Sequence, residues 1–306
     1  EMQQVVAEWQ QLRRTQRKHQ NQILTQLERL WPGALGNIKA FRRAWPQLDA
    51  PLLLVQTKAL QRDRVRILIE EGPNPHRIQR MSVTEIITLF KNRGARCGVK
   101  TAERVKRVFD QMVLPPEPLA EIVAQRVQAE YALFQEREAQ IAQLLEEKIV
   151  GLVSQTEAAV LLTIPGTSPA LVARYIACLR DHHRFPSAAH IWSYAGFDPQ
   201  MSQSGNHNRT YQISRQGDPF LRDSLFLLGY AMAQHCPPVQ ATFVKAIERG
   251  MNVRAATIHA ARKANRILFA LLNAQQPFVN PLSPEQSAFW HAECQRVHPK
   301  IRCVTP

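Results

Sequence analysis

Residues 202 to 226, SQSGNHNRTYQISRQGDPFLRDSLF, crowd hydroxyl, amide, imidazole and guanidinium groups into a connection between two helix-like stretches. Four serines stand there, Ser202, Ser204, Ser214 and Ser224, with His207, Arg209, Arg215 and Arg222 alongside. A serine that attacks a phosphodiester needs an exposed position, a route for its proton and cations for the charge developing on phosphate. Ser204-Gly205 supplies exposure, because glycine lets another backbone come close. The arginines supply the cations, and Asp218-Pro219 sets a helix N-terminus just downstream, with the Asp218 carboxylate a competitor for its N–H donors. A solvated loop has the same composition, and Ser-Gly by itself does not separate the two readings.

Three further groups carry chemistry-capable side chains. Residues 155 to 180 have the form of a helix-hairpin-helix, in which Gly166, Thr167 and Ser168 lead into a helix whose first N–H groups could face a phosphate. Such hairpins usually read Gly-x-Gly, and here Ser168 takes the second position, so a plain pair of antiparallel helices is the alternative. A helix over about 252 to 272 buries Ala256, Ala260, Ala264, Ile267 and Leu271 and shows Arg254, Arg262, Lys263 and Arg266, of which Arg262 and Arg266 are candidate phosphate contacts. In the tail, His291, Cys294, His298 and Cys303 have a spacing that could bind zinc, against a loosely packed tail with no metal. His182-His183 is expected on a solvated surface. No metal-ligand set is assigned within the chain.

These groups must be positioned by helices, because alternating strand patterns are nearly absent and the expected fold is all-α. Apolar residues recur at helical spacing over 1 to 30 until Trp31-Pro32-Gly33. Short helical patterns fill 46 to 112. After Pro115-Pro116, Val127, Phe134 and Ile141 recur every seven residues, with Ala124, Tyr131 and Leu145 on the complementary positions. That is a coiled-coil-like helix over 115 to 150, which either joins two chains or packs on its own domain. Ser154 and Glu157 read as a capping box opening a helix through Leu162. Ser168-Pro169 and Asp218-Pro219 read as cap-then-proline starts. Another helix spans 187 to 195 and stops at Gly196. The tail after Pro277 has no clear period. The resulting division is 1–45, 46–114, 115–150, 151–280 and 281–306.

Charge narrows the class of partner. The chain of 306 residues has a formal net charge of +14, concentrated in residues 1 to 110 at about +11. An excess of that size favours a polyanion, most simply nucleic acid. No run of about 18 apolar residues occurs and the N-terminus lacks an apolar signal core, so neither a membrane span nor secretion is expected and the setting is cytoplasmic. Five scattered cysteines fit reduced thiols. Glu1 in place of an initiator methionine suggests a piece of a longer chain, with Met2 keeping the opposite reading open.

The order of signals is more specific than any one of them. VLLTIPGTSPALVARYIACL, RFPSAAHIWSYAGFDP and SQSGNHNRTYQISRQGDPFLRDSLF follow one another, ahead of Gly250-Met251 and the arginine-bearing alanine helix. This series resembles the C-terminal domain of the bacterial insertion-sequence one-ten family of transposases, the DEDD-type recombinases associated with bridge RNA. The resemblance covers 151 to 280 as a serine-bearing helical transposase domain. It makes 1–45 the helix after the nuclease domain, 46–114 a basic helical segment, 115–150 the coiled coil and 281–306 a tail. It implies DNA transposition or site-specific recombination, with Ser204 as the nucleophile that joins DNA covalently and Ser202 as the fallback. It also implies DNA and a structured guide RNA as partners, a homo-oligomer through 115 to 150, and action at the bacterial nucleoid. Family members hold four acidic ligands for Mg2+ in an RNase-H-like domain ahead of this region, and these residues have no counterpart. The chain alone is then expected to need that domain in cis or in trans. The alternative is a decayed, catalytically inactive transposase that only binds nucleic acid.

Overall fold

The computed structural model describes residues 1–36, 54, 59–198, 214 and 216–297. Among these, the regular elements are helices and there is no strand, in accord with the all-α expectation. The chain divides into two compact units, one of residues 11–141 and one of residues 1–10 with 142–306.

The unit of residues 11–141 is built from most of α1 (Met2–Leu30), then α2 (Asp63–Glu70), α3 (Pro75–Arg80), α4 (Val83–Asn92), α5 (Val99–Asp110) and most of α6 (Glu117–Leu144). Local chemistry sets the starts. The Asn74 side chain accepts from His76 N ahead of Pro75, and Ser82 with Glu85 forms both halves of a capping box at α4. The heptad positions Ala124, Val127, Tyr131 and Phe134 lie in one core with Leu27, Leu30, Trp31, Ile69 and Phe109. Within that core Trp31 Nε1 donates to the Pro73 carbonyl at 2.8 Å, and its ring meets Phe109 edge-on with centroids 5.6 Å apart. The apolar seam over 124–134 is therefore covered by helices of its own unit.

Beyond Ile141 the apolar row changes step. Ile141, Leu144, Ile149 and Val153 are buried, whereas Leu145, the heptad expectation, is only half-buried. The five-residue stride from 144 to 149 coincides with a π-helical turn, Leu145–Ile149, that runs into α7 (Val150–Ser154). An i to i+5 turn carries the apolar face forward by one residue.

In the second unit the expected Ser154–Glu157 capping box does not form. Ser154 is still helical and its hydroxyl donates back to the Val150 carbonyl at 2.8 Å. Thr156, with extended backbone, instead precedes a 3-10 helix, Glu157–Thr163, which places Glu157 at the first helical position rather than the third. There follow α8 (Pro169–Leu179), a 3-10 turn (His182–Arg184), α9 (Ala188–Tyr194), α10 (Pro219–His235), α11 (Pro237–Glu248), α12 (Val253–Ala274) and α13 (Pro284–Val297).

Helices α10 and α12 form the centre of this unit. A Cβ added at Gly229 would sit 2.5 Å from Ala261 Cα, so the two backbones approach as closely as glycine allows. Ala256, Ala260 and Ala264 are buried as expected, while full burial further along falls on Leu268 and Leu272 rather than on Ile267 and Leu271. Tyr175 donates its hydroxyl to Asn265 Oδ1 at 3.2 Å and Asn265 Nδ2 donates to the Ala188 carbonyl at 2.7 Å, tying α8, α9 and α12. The tail that showed no period contains α13. Ser283 and Gln286 cap it reciprocally, Trp290 lies under Lys245 Nζ at 5.1 Å, and Cys294 is fully buried. No helix among the described residues is long and apolar enough to cross a membrane, and their cysteines are free thiols.

Candidate active site

The polar segment leaves and returns at a single point. Ser214 N donates to the Asp198 carbonyl at 2.7 Å, so the 15 residues 199–213 begin and end one hydrogen bond apart. Behind this closure, Asp218 N donates to the Tyr194 carbonyl at 2.9 Å and Arg222 Nη1 donates to the Ala195 carbonyl at 3.0 Å. Gly217 makes the closure possible, since a Cβ there would lie 2.4 Å from the Tyr194 carbonyl oxygen and 2.6 Å from Gly196 N. Gly196, in the left-handed region at φ 71°, ends α9 and turns the chain towards Phe197, which stacks on Trp192 with centroids 4.1 Å apart.

The closure opens onto a groove of about 910 Å³ between the first halves of α10 and α12, lined by Phe197, Pro219, Arg222, Phe226, Tyr230 and Arg254 among others. Arg222 and Arg254 are visible in the sequence, but the aromatic wall is not, because Phe197 from the turn after α9 joins Phe226 and Tyr230 of α10 only in the fold. Phe226 and Tyr230, one helical turn apart, were the available signal.

Two of the four serines have structural duties. Ser224 is fully buried in α10 and its hydroxyl donates to the Phe220 carbonyl at 2.7 Å. The Ser214 hydroxyl donates to the Gly196 carbonyl at 3.5 Å and accepts from Gln216 N at 3.4 Å. Ser202, Ser204, Arg209 and Arg215 lie outside the described residues. The α10 N-terminus is taken by its own cap, for the Asp218 carboxylate accepts from Phe220 N at 2.8 Å and Leu221 N at 3.1 Å. Cys178 is no rival nucleophile, because burial and then the nearby Asp218 carboxylate push its thiol up to about 12.

In the hairpin, Ser168 caps α8 by accepting from Leu171 N at 3.4 Å. The Thr167 hydroxyl lies 2.9 Å from the Leu161 and Ile164 carbonyls. Gly166 stands at φ 90°, and a Cβ there would meet the Ala231 carbonyl oxygen at 2.6 Å, so its close backbone approach is to α10. Arg262 and Arg266 are exposed on α12. Of the tail set, Cys294 Sγ is turned inward and donates to the Ala233 carbonyl at 3.4 Å, and His291 Nδ1 lies 3.5 Å from Gln240 Nε2. His298 and Cys303 lie outside the described residues.

The described residues do not fit a Mg2+ site of the acidic kind. Their one convergence of three or more ligand-type side chains is Glu157 with His182 and His183, which holds a single carboxylate. No chemical step is assigned to magnesium on these residues.

Residues 158–245 match the model described as Transposase IS116/IS110/IS902 family. The chain is 25% identical over 219 residues to the "Insertion element IS110 uncharacterized 43.6 kDa protein" of Streptomyces coelicolor, covering 70% of this chain and 52% of the relative. It is 31% identical over 123 residues to a pilin gene-inverting protein of Moraxella bovis, covering 40% of this chain and 38% of that protein. A pilin gene-inverting protein of Moraxella lacunata gives the same identity and coverage. The chain thus spans about half or less of the length of the curated relatives it matches. The matched region runs from the 3-10 helix through α8, α9 and the closed polar segment into α11, so residues 158–245 carry a transposase domain of the IS116/IS110/IS902 family.

Proposed function

We propose that this chain takes part in DNA strand exchange, as the serine-bearing portion of an insertion-sequence recombinase. The observation that carries the reading is the closure of residues 199–213 by the Ser214–Asp198 hydrogen bond inside a matched transposase domain. A segment dominated by hydroxyl, amide, imidazole and guanidinium groups from 202 to 210, pinned at both ends beside a groove, is suited to enter a phosphate site rather than a core. The resemblance assigns the nucleophile to Ser204, with Ser202 as the fallback, and Ser214 and Ser224 are engaged in the fold.

In the step, the Ser204 hydroxyl oxygen forms a bond to phosphorus and the bond from phosphorus to the neighbouring sugar oxygen breaks. The serine proton passes to a base and the departing oxygen takes up a proton, leaving DNA joined to serine as a phosphodiester. Arg209, Arg215 and Arg222 are assigned to the phosphate oxygens, with Arg222 also holding the Ala195 carbonyl. A nuclease domain with an acidic Mg2+ site completes the reaction, and a structured guide RNA and a second copy of the chain complete the assembly.

The test is a covalent adduct. When the chain is combined with such a nuclease domain and target DNA, a denaturant-resistant protein–DNA product is expected from the wild type and lost in Ser204→Ala, while DNA binding is kept. An adduct that survives Ser204→Ala and disappears in Ser202→Ala moves the role to Ser202. Binding without any adduct, under every complementation, leaves a nucleic-acid-binding protein and defeats the catalytic reading.

A further inference from the structure

Glu157, His182 and His183 come together from two separate 3-10 turns, Glu157–Thr163 and His182–Arg184. Glu157 Oε2 lies 4.0 Å from His182 Nδ1 and 3.8 Å from His183 Nε2, and one ligand atom from each of the three residues lies within 4.8 Å of the others. The two imidazole centroids are 3.9 Å apart with ring planes tilted by 36°. Asp181, which accepts from His183 N at 2.9 Å, fixes the turn that carries both rings.

The expectation of a solvated His182-His183 pair holds for only half of it. His183 is exposed, but His182 is only 8% exposed. The buried His182 ring makes no hydrogen bond among the described residues. Its Nε2 has no partner, and the Glu157 oxygen facing Nδ1 is beyond hydrogen-bond reach. Nδ1 is the ring nitrogen that faces the carboxylate and is the one placed to take a ligand, while Nε2 is the other ring nitrogen, buried and without a partner.

A tetrahedral metal with bonds of about 2.0–2.1 Å holds its ligand atoms about 3.4 Å apart. The separations of 3.8 and 4.0 Å exceed that by a few tenths of an ångström, within reach of small rotations of exposed side chains. Two imidazoles and one carboxylate suit zinc, cobalt and their late first-row neighbours, and do not suit magnesium. The exposure of Glu157 and His183 leaves the fourth position to water.

We infer that Glu157, His182 and His183 bind a divalent transition metal of the zinc class. The site ties the turn before the Ile164–Ser168 hairpin to the connection between α8 and α9. Such a clamp closes the loop from 157 to 182 and stabilises the part of the transposase domain on which the hairpin and α8 stand. It is independent of the serine chemistry.

The experiment uses the full chain, freed of metal with a chelator and titrated with Co2+ while its visible ligand-field bands are recorded. One equivalent with oxygen and nitrogen ligation is expected, together with a rise in thermal midpoint on adding Zn2+. Glu157→Gln and His183→Gln, both at exposed positions, should each weaken binding at least about tenfold and remove the thermal shift, while Cys294→Ser and His291→Gln leave both unchanged. Absence of saturable binding, binding undiminished by His183→Gln, or a thiolate-to-cobalt band pointing to the cysteine-bearing tail would overturn the assignment.

Discussion

Replacing Gly217 by alanine tests whether the closure of the polar segment depends on backbone contact alone. Gly217 is not among the residues at positive φ, so alanine meets no conformational penalty there and lowers the entropy of the unfolded chain, worth about 0.4–1 kcal/mol in favour of folding. Packing opposes this. The new Cβ would stand 2.4 Å from the Tyr194 carbonyl oxygen, 2.6 Å from Gly196 N and 2.9 Å from Ala195 C, all backbone atoms with no rotamer to change. Relief to an ordinary contact requires a shift of about 1 Å between the end of α9 and the start of α10. That shift takes the Asp218 N–Tyr194 O bond from 2.9 Å beyond hydrogen-bond range and loosens Arg222 from the Ala195 carbonyl. Losing one neutral and one charge-assisted hydrogen bond costs about 2–4.5 kcal/mol, which leaves a net destabilisation of about 1–4 kcal/mol after the entropic gain. The two units need not unfold together, so the measurement is urea-dependent hydrogen exchange read by mass spectrometry on peptides from α9 and α10. Gly151→Ala, in α7 with nothing within 4 Å of its new Cβ, is the control and should stabilise by about 0.5–1 kcal/mol. If Gly217→Ala protects those peptides within about 0.5 kcal/mol of the wild type, the closure is not held by this contact and the argument from it collapses.

Two other expectations follow from the same unit. On the proposed function, Arg262→Ala with Arg266→Ala should lower affinity for duplex DNA and reduce the slope of log affinity against log salt by about 1–2 in a fluorescence titration, since each phosphate contact contributes about 0.9; an unchanged slope removes both from the interface. Burial holds the Cys236 thiol up to about 12 against an ordinary 9.0. The folded state keeps its proton while the unfolded chain releases it, so this contribution to stability is whole below about pH 9 and is lost as pH rises towards 12. The urea midpoint should fall between pH 8 and pH 10.5, less so in Cys236→Ala; equal falls would rule out this thiol as a source.

Much of the helical layout was legible because it is local. Ser168-Pro169 and Asp218-Pro219 each cap the helix that follows them, since the capping oxygen and the N–H groups it serves are two or three residues apart. The same reasoning missed α13 and misplaced the start after Ser154. For α13 the local signal was present, since Ser283 and Gln286 form a reciprocal cap, and after Ser154 the hydroxyl bonds back to the Val150 carbonyl instead of capping forward. The serine segment was legible as a composition and not as a geometry.

The sequence by itself determined that the chain is helical, basic and interrupted by one polar segment, because periodicity, charge and capping are read within a few residues. Only the tertiary structure decided what each face meets. Heptad spacing marks Val127, Tyr131 and Phe134 as apolar without saying whether another chain or Trp31 and Phe109 cover them. An adjacent pair of histidines gives no hint that one is buried and the other exposed beside Glu157. Nor does the spacing of Asp198, Ser214 and Gly217 reveal that the segment's ends meet. Burial and closure are properties of pairs brought together from distant parts of the chain, and local spacing carries no term for them.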